Sequence, residues 1–206
     1  EAAALSGVTV FNSAKTQVVS PLGNATVDVM GVDGHYFAVR AFSVGAGRTW
    51  SKSEEQTKAK VCVMGLTTAE KLFGGEDPVG RTVRINKHPF LVIGTLAPKG
   101  SSVFEDQDDR ILMPVGSWRS RVNPVIGDRV GLVMATAKTA DHVPQAEREI
   151  EAILRQRHGF RDHEEPDFRV RTQAQFRESQ DQVLGTLTTL LLSVAAIALL
   201  VGGVGV

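Results

Sequence analysis

The chain has 206 residues, with 23 basic and 23 acidic side chains and no formal net charge, a size that suits one domain or two small subdomains. This balance gives no electrostatic reason to expect nucleic acid or an anionic surface as the main partner. Apolar residues at 42% and charged ones at 22% exclude wholesale disorder, and a single cysteine, Cys62, excludes an internal disulfide and Cys-rich zinc patterns.

Glu1 opens the chain without a Met and without the basic, apolar and small-residue series of a signal peptide. The chain ends inside an apolar run, so both ends are expected to be cuts within a longer protein. Thr26 to Val32 alternates loosely and is rich in Val, which predicts a strand. Asp33-Gly34 is a turn signal, and His35 to Val39 predicts one helical turn. Gly45, Gly47 and Arg48 mark a loop, and Ser51 to Lys60 reads as polar and exposed. Val61 to Met64 predicts a short buried strand, with Cys62 as a small core residue. A helix follows, with Thr67 or Thr68 as its cap and Ala69, Leu72 and Phe73 on its inner side. Gly74-Gly75 stops it.

Arg81 to Ile85 and Pro89 to Leu96 predict the strands of a hairpin around Asn86-Lys87. Val83 and Ile85 share one face of the first strand, and Phe90, Val92 and Leu96 share one face of the second. Lys99 to Asp109 is a polar loop, and Ile111 to Val115 and Gly131 to Thr136 are short strands. Asp141 to His158 is the clearest soluble helix, with Val143, Ala146, Ile150, Ile153 and Leu154 as its inner stripe. Pro144 fits the first turn, Glu151 and Arg155 form an i,i+4 pair, and Gly159 closes the helix. Phe168 to Thr172 alternates apolar and basic residues, as a half-buried strand does. Mixed strands and helices in this order predict an α+β sheet fold.

Leu190 to Val206 reads LLLSVAAIALLVGGVGV, with no charge and Ser193 as its only polar residue. A helix from Leu184 to Val206, at about 1.5 Å per residue, reaches the thickness of a bilayer core. Its Leu, Ile and Val residues favour insertion by about 3–5 kcal/mol, which one central charge would nearly cancel. A soluble helix keeps a polar face, and this run shows none after Thr189. Its small residues, Ala195, Ala196, Ala198, Gly202, Gly203 and Gly205, suit close helix packing in lipid. Gln173 to Gln182 upstream is polar and rich in helix formers, so one helix is expected to begin in water and continue into the bilayer.

Candidate chemistry is sparse. His35, His88, His142, His158 and His163 form no metal-ligand spacing on one helix face; surface positions are expected for them, with His158 complementing a helix C-terminus. Glu105, Asp106, Asp108 and Asp109 cluster around Gln107, but without the glycine and bidentate Glu of a calcium loop. A solvated loop is the expectation. Gly74, Gly75 and Gly80 follow a helix instead of a strand and lack the GKS or GKT of a phosphate loop. Trp50 and Trp118 are isolated, as interface anchors or plain packing. No nucleophile motif of the GxSxG kind is present. Catalytic, cofactor-binding and metal residues are therefore all assigned as none, which favours a binding or force-transmitting role.

The stretch AEKLFGGEDPVGRTVRINKHPFLVIGTLAPKGSS, from Ala69 to Ser102, closely resembles the signature region of MacB-type periplasmic core domains. There a helix ending in LFG precedes DPVG, a basic strand, a turn and a strand like FxVIGVL. VMGVDGHYFAVRAFSVGAGR, from Val29 to Arg48, is similar to an earlier segment of that family. The final apolar run resembles the start of an FtsX-like permease segment. The resemblance covers most of the chain from about Ala25 onward, and Glu1 to Asn24 match weakly. The turn that often reads Asn-Gly in relatives is Asn86-Lys87 here, and lysine resists positive φ, so a longer or different turn is expected.

The resemblance implies an α+β, two-lobed extracytoplasmic domain over residues 1–183, with a mainly β lobe inserted at about 42–123 into a discontinuous α/β lobe. Residues 184–206 would start the second transmembrane helix of an inner-membrane permease. It implies no cofactor in this fragment, with ATP bound at a partner ABC ATPase domain or subunit. Dimerisation or a paired permease, and for some relatives a periplasmic adaptor and an outer-membrane channel, are further implied partners. The implied function is to transmit ATP-driven conformational change for export or extraction of a macrolide, peptide, siderophore or lipoprotein. The alternative is a membrane-anchored substrate- or adaptor-binding module without mechanical coupling. A membrane-tethered hydrolase is the third reading, and the missing nucleophile–base pair argues against it.

Overall fold

The computed structural model describes residues 4–100, 106–124, 130–161 and 164–204, the last six without their side chains. The contacts divide the chain into two compact units: Leu5–Thr136, and Glu1–Ala4 together with Ala137–Val206.

The first unit is built on a sheet. Strands β1 (Leu5–Val19) and β2 (Asn24–Val32) form an antiparallel hairpin in the register Phe11↔Val32 to Val19↔Asn24. The chain then makes α1 (Tyr36–Val39), β3 (Val44–Gly47), α2 (Lys52–Gln56), β4 (Val61–Met64) and α3 (Leu66–Phe73). Next come β5 (Thr82–Ile85), β6 (His88–Leu96), β7 (Arg110–Pro114), α4 (Val115–Arg121) and β8 (Leu132–Ala137). Strand order is β2-β7-β4-β6-β5-β1-β8, and because β1 also pairs with β2, six strands close into a ring. β2–β7 and β4–β6 run parallel, and the other ring pairs run antiparallel. β3 adds to β6.

Period-two alternation sorts the strand residues into two apolar clusters. Cys62 and Met64, Val27 and Val29, and Ile111 and Met113 join Leu72, Phe73 and Trp118 in one cluster. Val61 and Val63, Met30 and Val32, and Leu112 join Tyr36, Phe42 and Trp50 in the other. This is why β4 and β7 are buried along their whole length and read as continuous apolar runs. Trp118 is fully buried and its indole N–H donates to the Val29 carbonyl at 2.8 Å. Its ring lies where a side chain on Gly31 would go: a Cβ there would stand 2.4 Å from Trp118 Cβ. Both tryptophans are core residues, Trp50 packing edge-on against Phe37 at 5.0 Å.

The second unit is helical. A 3₁₀ turn, Ala140–His142, leads into α5 (Val143–His158), and α6 (Gln173–Val204) follows. Pro144 lies in the first turn of α5, Arg155 Nε reaches Glu151 Oε1 at 3.3 Å, and Gly159 ends the helix at φ 74°. Ala146 is its buried residue.

Several expectations change. Residues 5–19, assigned no element from the sequence, form the longest strand; its buried positions include Thr9 and Asn12, polar residues that hide the alternation. Thr9 Oγ1 donates to Asp33, and Asn12 Oδ1 accepts the Gly131 N–H. Ser51 to Lys60 contains α2, whose Ser51 and Glu54 form a reciprocal capping box. α3 starts on Gly65 without a side-chain cap, and Thr68 is instead buried. The hairpin turn has two residues, Asn86 and Lys87, with φ of 45° and 70°. Positive φ at both positions is what a type I′ hairpin requires, so the lysine is accommodated and no longer turn forms. Phe168 to Thr172 is not a strand, although its burial still alternates. Positions 42 and 123, the bounds expected for an inserted lobe, both lie inside the first unit, where β1 and β2 pair with β5 and β7.

Gly31→Ala is expected to destabilise the first unit by about 1–3 kcal/mol through overpacking against Trp118, lowering the thermal midpoint by several degrees. A midpoint equal to that of the parent chain would mean that α4 does not sit against β2 as described.

Candidate functional site: a polar loop clasp and an uncovered apolar helix

The acidic loop holds itself together through its own donors. Asp108 is 7% exposed. Its carboxylate accepts the N–H groups of Lys99 (3.0 and 3.2 Å) and Gly100 (2.9 Å). Asp106 Oδ1 accepts the Asp108 N–H at 2.9 Å. Asp109 accepts from Thr68 Oγ1 at 3.1 Å and pairs with Lys71 Nζ at 2.8 Å. Three carboxylates thus close the long excursion between β6 and β7 and tie it to α3, with Asp108 sunk into the fold. Glu105 lies outside the described residues. Among the described residues, no group of three His, Cys, Asp or Glu side chains could hold a metal ion.

Above that loop, cations gather on one ring. Lys99 Nζ lies 4.2 Å from the Phe42 centroid and Arg110 Cζ lies 5.6 Å from it. Lys99 Nζ also donates to the Arg40 carbonyl. Arg110 is 2% exposed, and its guanidinium reaches Met30 Sδ at 3.7 Å and the Asp106 carbonyl at 3.4 Å. Partial burial, helped by the positive charges of Arg40 and Arg110, pushes the Lys99 ammonium below its ordinary pKa. Burial likewise raises the Tyr36 phenol. The cluster fixes Phe42, itself stacked on Tyr36 at 5.9 Å, against the loop through cation–π contact.

The remaining candidates have local partners. His35 approaches Asp33 at 4.0 Å, His142 meets Thr139 Oγ1 at 2.6 Å, and His158 Nδ1 meets Asp167 Oδ1 at 2.9 Å. His163 lies outside the described residues. Cys62 is fully buried, and burial pushes its thiol pKa up to about 12, so it carries no thiolate at neutral pH. Gly74 ends α3 in a left-handed conformation at φ 61°.

The element with no local cover is α6. It is one continuous helix of 32 residues, about 48 Å long at 1.5 Å per residue. Its start is built for water: Thr172 N donates to Gln175 Oε1 (3.0 Å) and Gln175 N donates to Thr172 Oγ1 (3.2 Å), a reciprocal cap. Arg177, Glu178 and Asp181 follow, and no charge follows them. From there Leu184, Leu187, Leu190, Leu191, Leu192, Val194 and Ile197 are 44–71% exposed. The hydroxyls of Thr186, Thr188, Thr189 and Ser193 each donate to the carbonyl four residues back, at 2.8–2.9 Å. The apolar stretch therefore presents no unmet hydroxyl donor, which is the condition for standing in hydrocarbon. Gln173–Ala198 is long and apolar enough to cross a membrane, and none of its most apolar window is buried.

Comparison with known proteins gives a consistent picture. Residues 1–153 match the family described as MacB-like periplasmic core domain. The chain is 35% identical over 197 residues, 95% of its length, to the macrolide export ATP-binding/permease protein MacB of Bdellovibrio bacteriovorus. It is 37% identical over 180 residues to the pyoverdine export ATP-binding/permease protein PvdT of Pseudomonas syringae. It spans 30% and 26% of the length of these two relatives. Two solved structures share the fold. The periplasmic region of MacB from Actinobacillus actinomycetemcomitans has a TM-score of 0.66 at 24% identity, covering 78% of this chain and 71% of that one. The extracellular domain of the noncanonic ABC-type transporter YknZ has a TM-score of 0.66 at 19% identity, covering 78% and 80%.

Asp108→Ala is expected to cost about 1.5–3 kcal/mol, since the backbone N–H groups of Lys99 and Gly100 lose a charged, buried acceptor. Asp109→Ala, at a more exposed pair, is expected to cost about 1 kcal/mol or less. Chemical denaturation of both variants measures the difference, and equal small effects would contradict the assignment of Asp108 as the buried clasp.

Proposed function

The chain belongs to the family of MacB-like periplasmic core domains, and from that membership we propose that it is the extracytoplasmic domain of an ABC-transporter permease subunit that transmits ATP-driven movement across the inner membrane. The observation that carries this reading is α6: capped and charged at its first turns, then uncharged and apolar, with its large apolar side chains from Leu184 to Ile197 exposed, in a helix long enough to cross a bilayer. A helix of this kind is stable only where lipid or other membrane helices surround it. The ATP is bound by an ATPase domain or subunit, as the names of the relatives indicate for those proteins.

Export of a macrolide- or siderophore-class molecule is the proposed transport, by analogy with what those relatives are named for. A second copy or a paired permease, a periplasmic adaptor and an outer-membrane channel are the proposed partners. The domain acts mechanically, with no catalytic, cofactor or metal residue of its own. One feature supports a mechanical role over a simple anchored binding module: α6 runs without interruption from its charged first turns into its apolar stretch.

Accessibility in the intact transporter tests the reading. A cysteine at Glu178 should react with a membrane-impermeant maleimide from the extracytoplasmic side, and cysteines at Leu191 or Val194 should react only after detergent is added. Cys62, buried and protonated, stays silent. Equal labelling at all three positions would remove the membrane assignment. Spin labels on Lys87→Cys in paired copies should report different distances with and without ATP; identical distances would leave only the anchored binding module.

A further inference from the structure

The connection between α5 and α6 does not behave as a loose tether. Glu147, Glu151, Arg155 and His158 recur every three or four residues, so they lie along one face of α5. Each of the four is engaged. Arg155 bonds Glu151 and donates through Nη1 to the carbonyls of Arg161 (3.4 Å) and Glu164 (3.2 Å). His158 Nδ1 meets Asp167 Oδ1 at 2.9 Å. The His158 ring also stands edge-on to Phe168 at 5.7 Å and stacks with Phe160 at 6.1 Å, while Phe160 and Phe168 lie 6.4 Å apart. At the other end of the stripe, Glu147 Oε1 accepts from Gln175 Nε2, in the first turn of α6, at 3.4 Å.

The lengths agree. From Glu147 to His158 is eleven residues of helix, about 16 Å. From Asp167 to Thr172 is five extended residues, about 17 Å. The segment therefore leaves the end of α5, turns, and returns antiparallel along the same helix face to start α6 beside the beginning of α5. Of the residues predicted as a strand, Phe168, Val170 and Thr172 alternate with exposed neighbours, yet they join no ladder; Asp167 and Phe168 at the head of the segment contact His158 of α5.

We propose that residues 164–172 are a strap clamped to α5 by the His158–Asp167 contact and its aromatic neighbours, so that α5 and the first turn of α6 move as one body. His158 is a positioning residue. Resting on the transmission reading above, the strap would be the rigid joint through which displacement of α5 reaches the membrane helix; a slack linker of this length would absorb it.

The test uses the full transporter in lipid, with spin labels at Arg148→Cys on α5 and Arg177→Cys on α6. His158→Ala and, independently, Asp167→Ala are expected to broaden the α5–α6 distance distribution and to speed amide exchange at Glu164 and Thr172 about fivefold, the factor expected for one exposed charge-assisted contact with its aromatic edge. His158→Phe, which keeps a ring but loses Nδ1, should fall between parent and His158→Ala. The double variant should add little to either single one. Unchanged distances and exchange in both alanine variants would overturn the strap. Loosened distances with ATP-driven movement of α6 equal to that of the parent would overturn its role as the joint. If the parent itself shows no ATP-driven movement while the alanine variants still loosen, the strap stands and the transmission reading falls.

Discussion

Between Leu184 and Ile197 seven large apolar side chains project from α6, each 44–71% exposed. Burying one such side chain is worth about 1.5–3 kcal/mol, so leaving this many largely in water would cost on the order of 10 kcal/mol, comparable to the whole stability of a domain. The backbone of a helix satisfies its own donors and acceptors, and the four hydroxyls in the stretch are turned back onto it. Hydrocarbon is therefore a suitable solvent for this segment.

Within the first unit, the closed strand ring explains how so small a structure keeps two apolar faces covered. Central strands such as β4 and β7 are buried on both sides, and α3 and α4 supply Leu72, Phe73 and Trp118 to one face while Tyr36, Phe42 and Trp50 cover the other. Asp108 holds the described part of the loop between β6 and β7 from within, and Asp106 and Asp109 add to the hold. Lys99 and Arg110 lie against Phe42, so loop and core are joined by charge acting on an aromatic ring.

Much of this was readable in the residues. The buried runs VCVM and RILMP, the Gly74 stop, the β5–β6 hairpin and α5 all follow local rules of burial, capping and periodicity, and the uncharged C-terminal run needs only its length. The capping boxes at Ser51–Glu54 and Thr172–Gln175 were present in the sequence as S/T-x-x-E/Q spacings; the second heads a helix that was expected from Gln173, while the polar surroundings of the first were read only as an exposed stretch. β1 escaped because two of its inward positions are Thr9 and Asn12, whose polar side chains are satisfied by Asp33 and by the Gly131 N–H, partners remote in sequence. The ring was hidden for a related reason: it closes through pairings such as β1–β5 and β2–β7, which no local pattern encodes. At the candidate site, the acidic cluster looked solvated because proximity in sequence says nothing of depth, and only the fold reveals that Asp108 points inward at two N–H groups.

The continuity of α6 gives the mechanical reading its physical content. A helix carries tilt, rotation and axial load only while its hydrogen-bond ladder is unbroken, and sharp kinks arise at proline, at inserted waters or at local bulges. Between Gln173 and Val204 there is no proline, and Gly185 is the one glycine before residue 202. Gly185 follows the last charge, Asp181, by four residues, and its site is open, with no neighbouring atom within 4 Å of where a side chain would start. Glycine there weakens the helix by about 1 kcal/mol relative to alanine without breaking it. The least stiff point of α6 therefore lies between its charged turns and its apolar stretch, where a modest bend would be tolerated with the ladder intact.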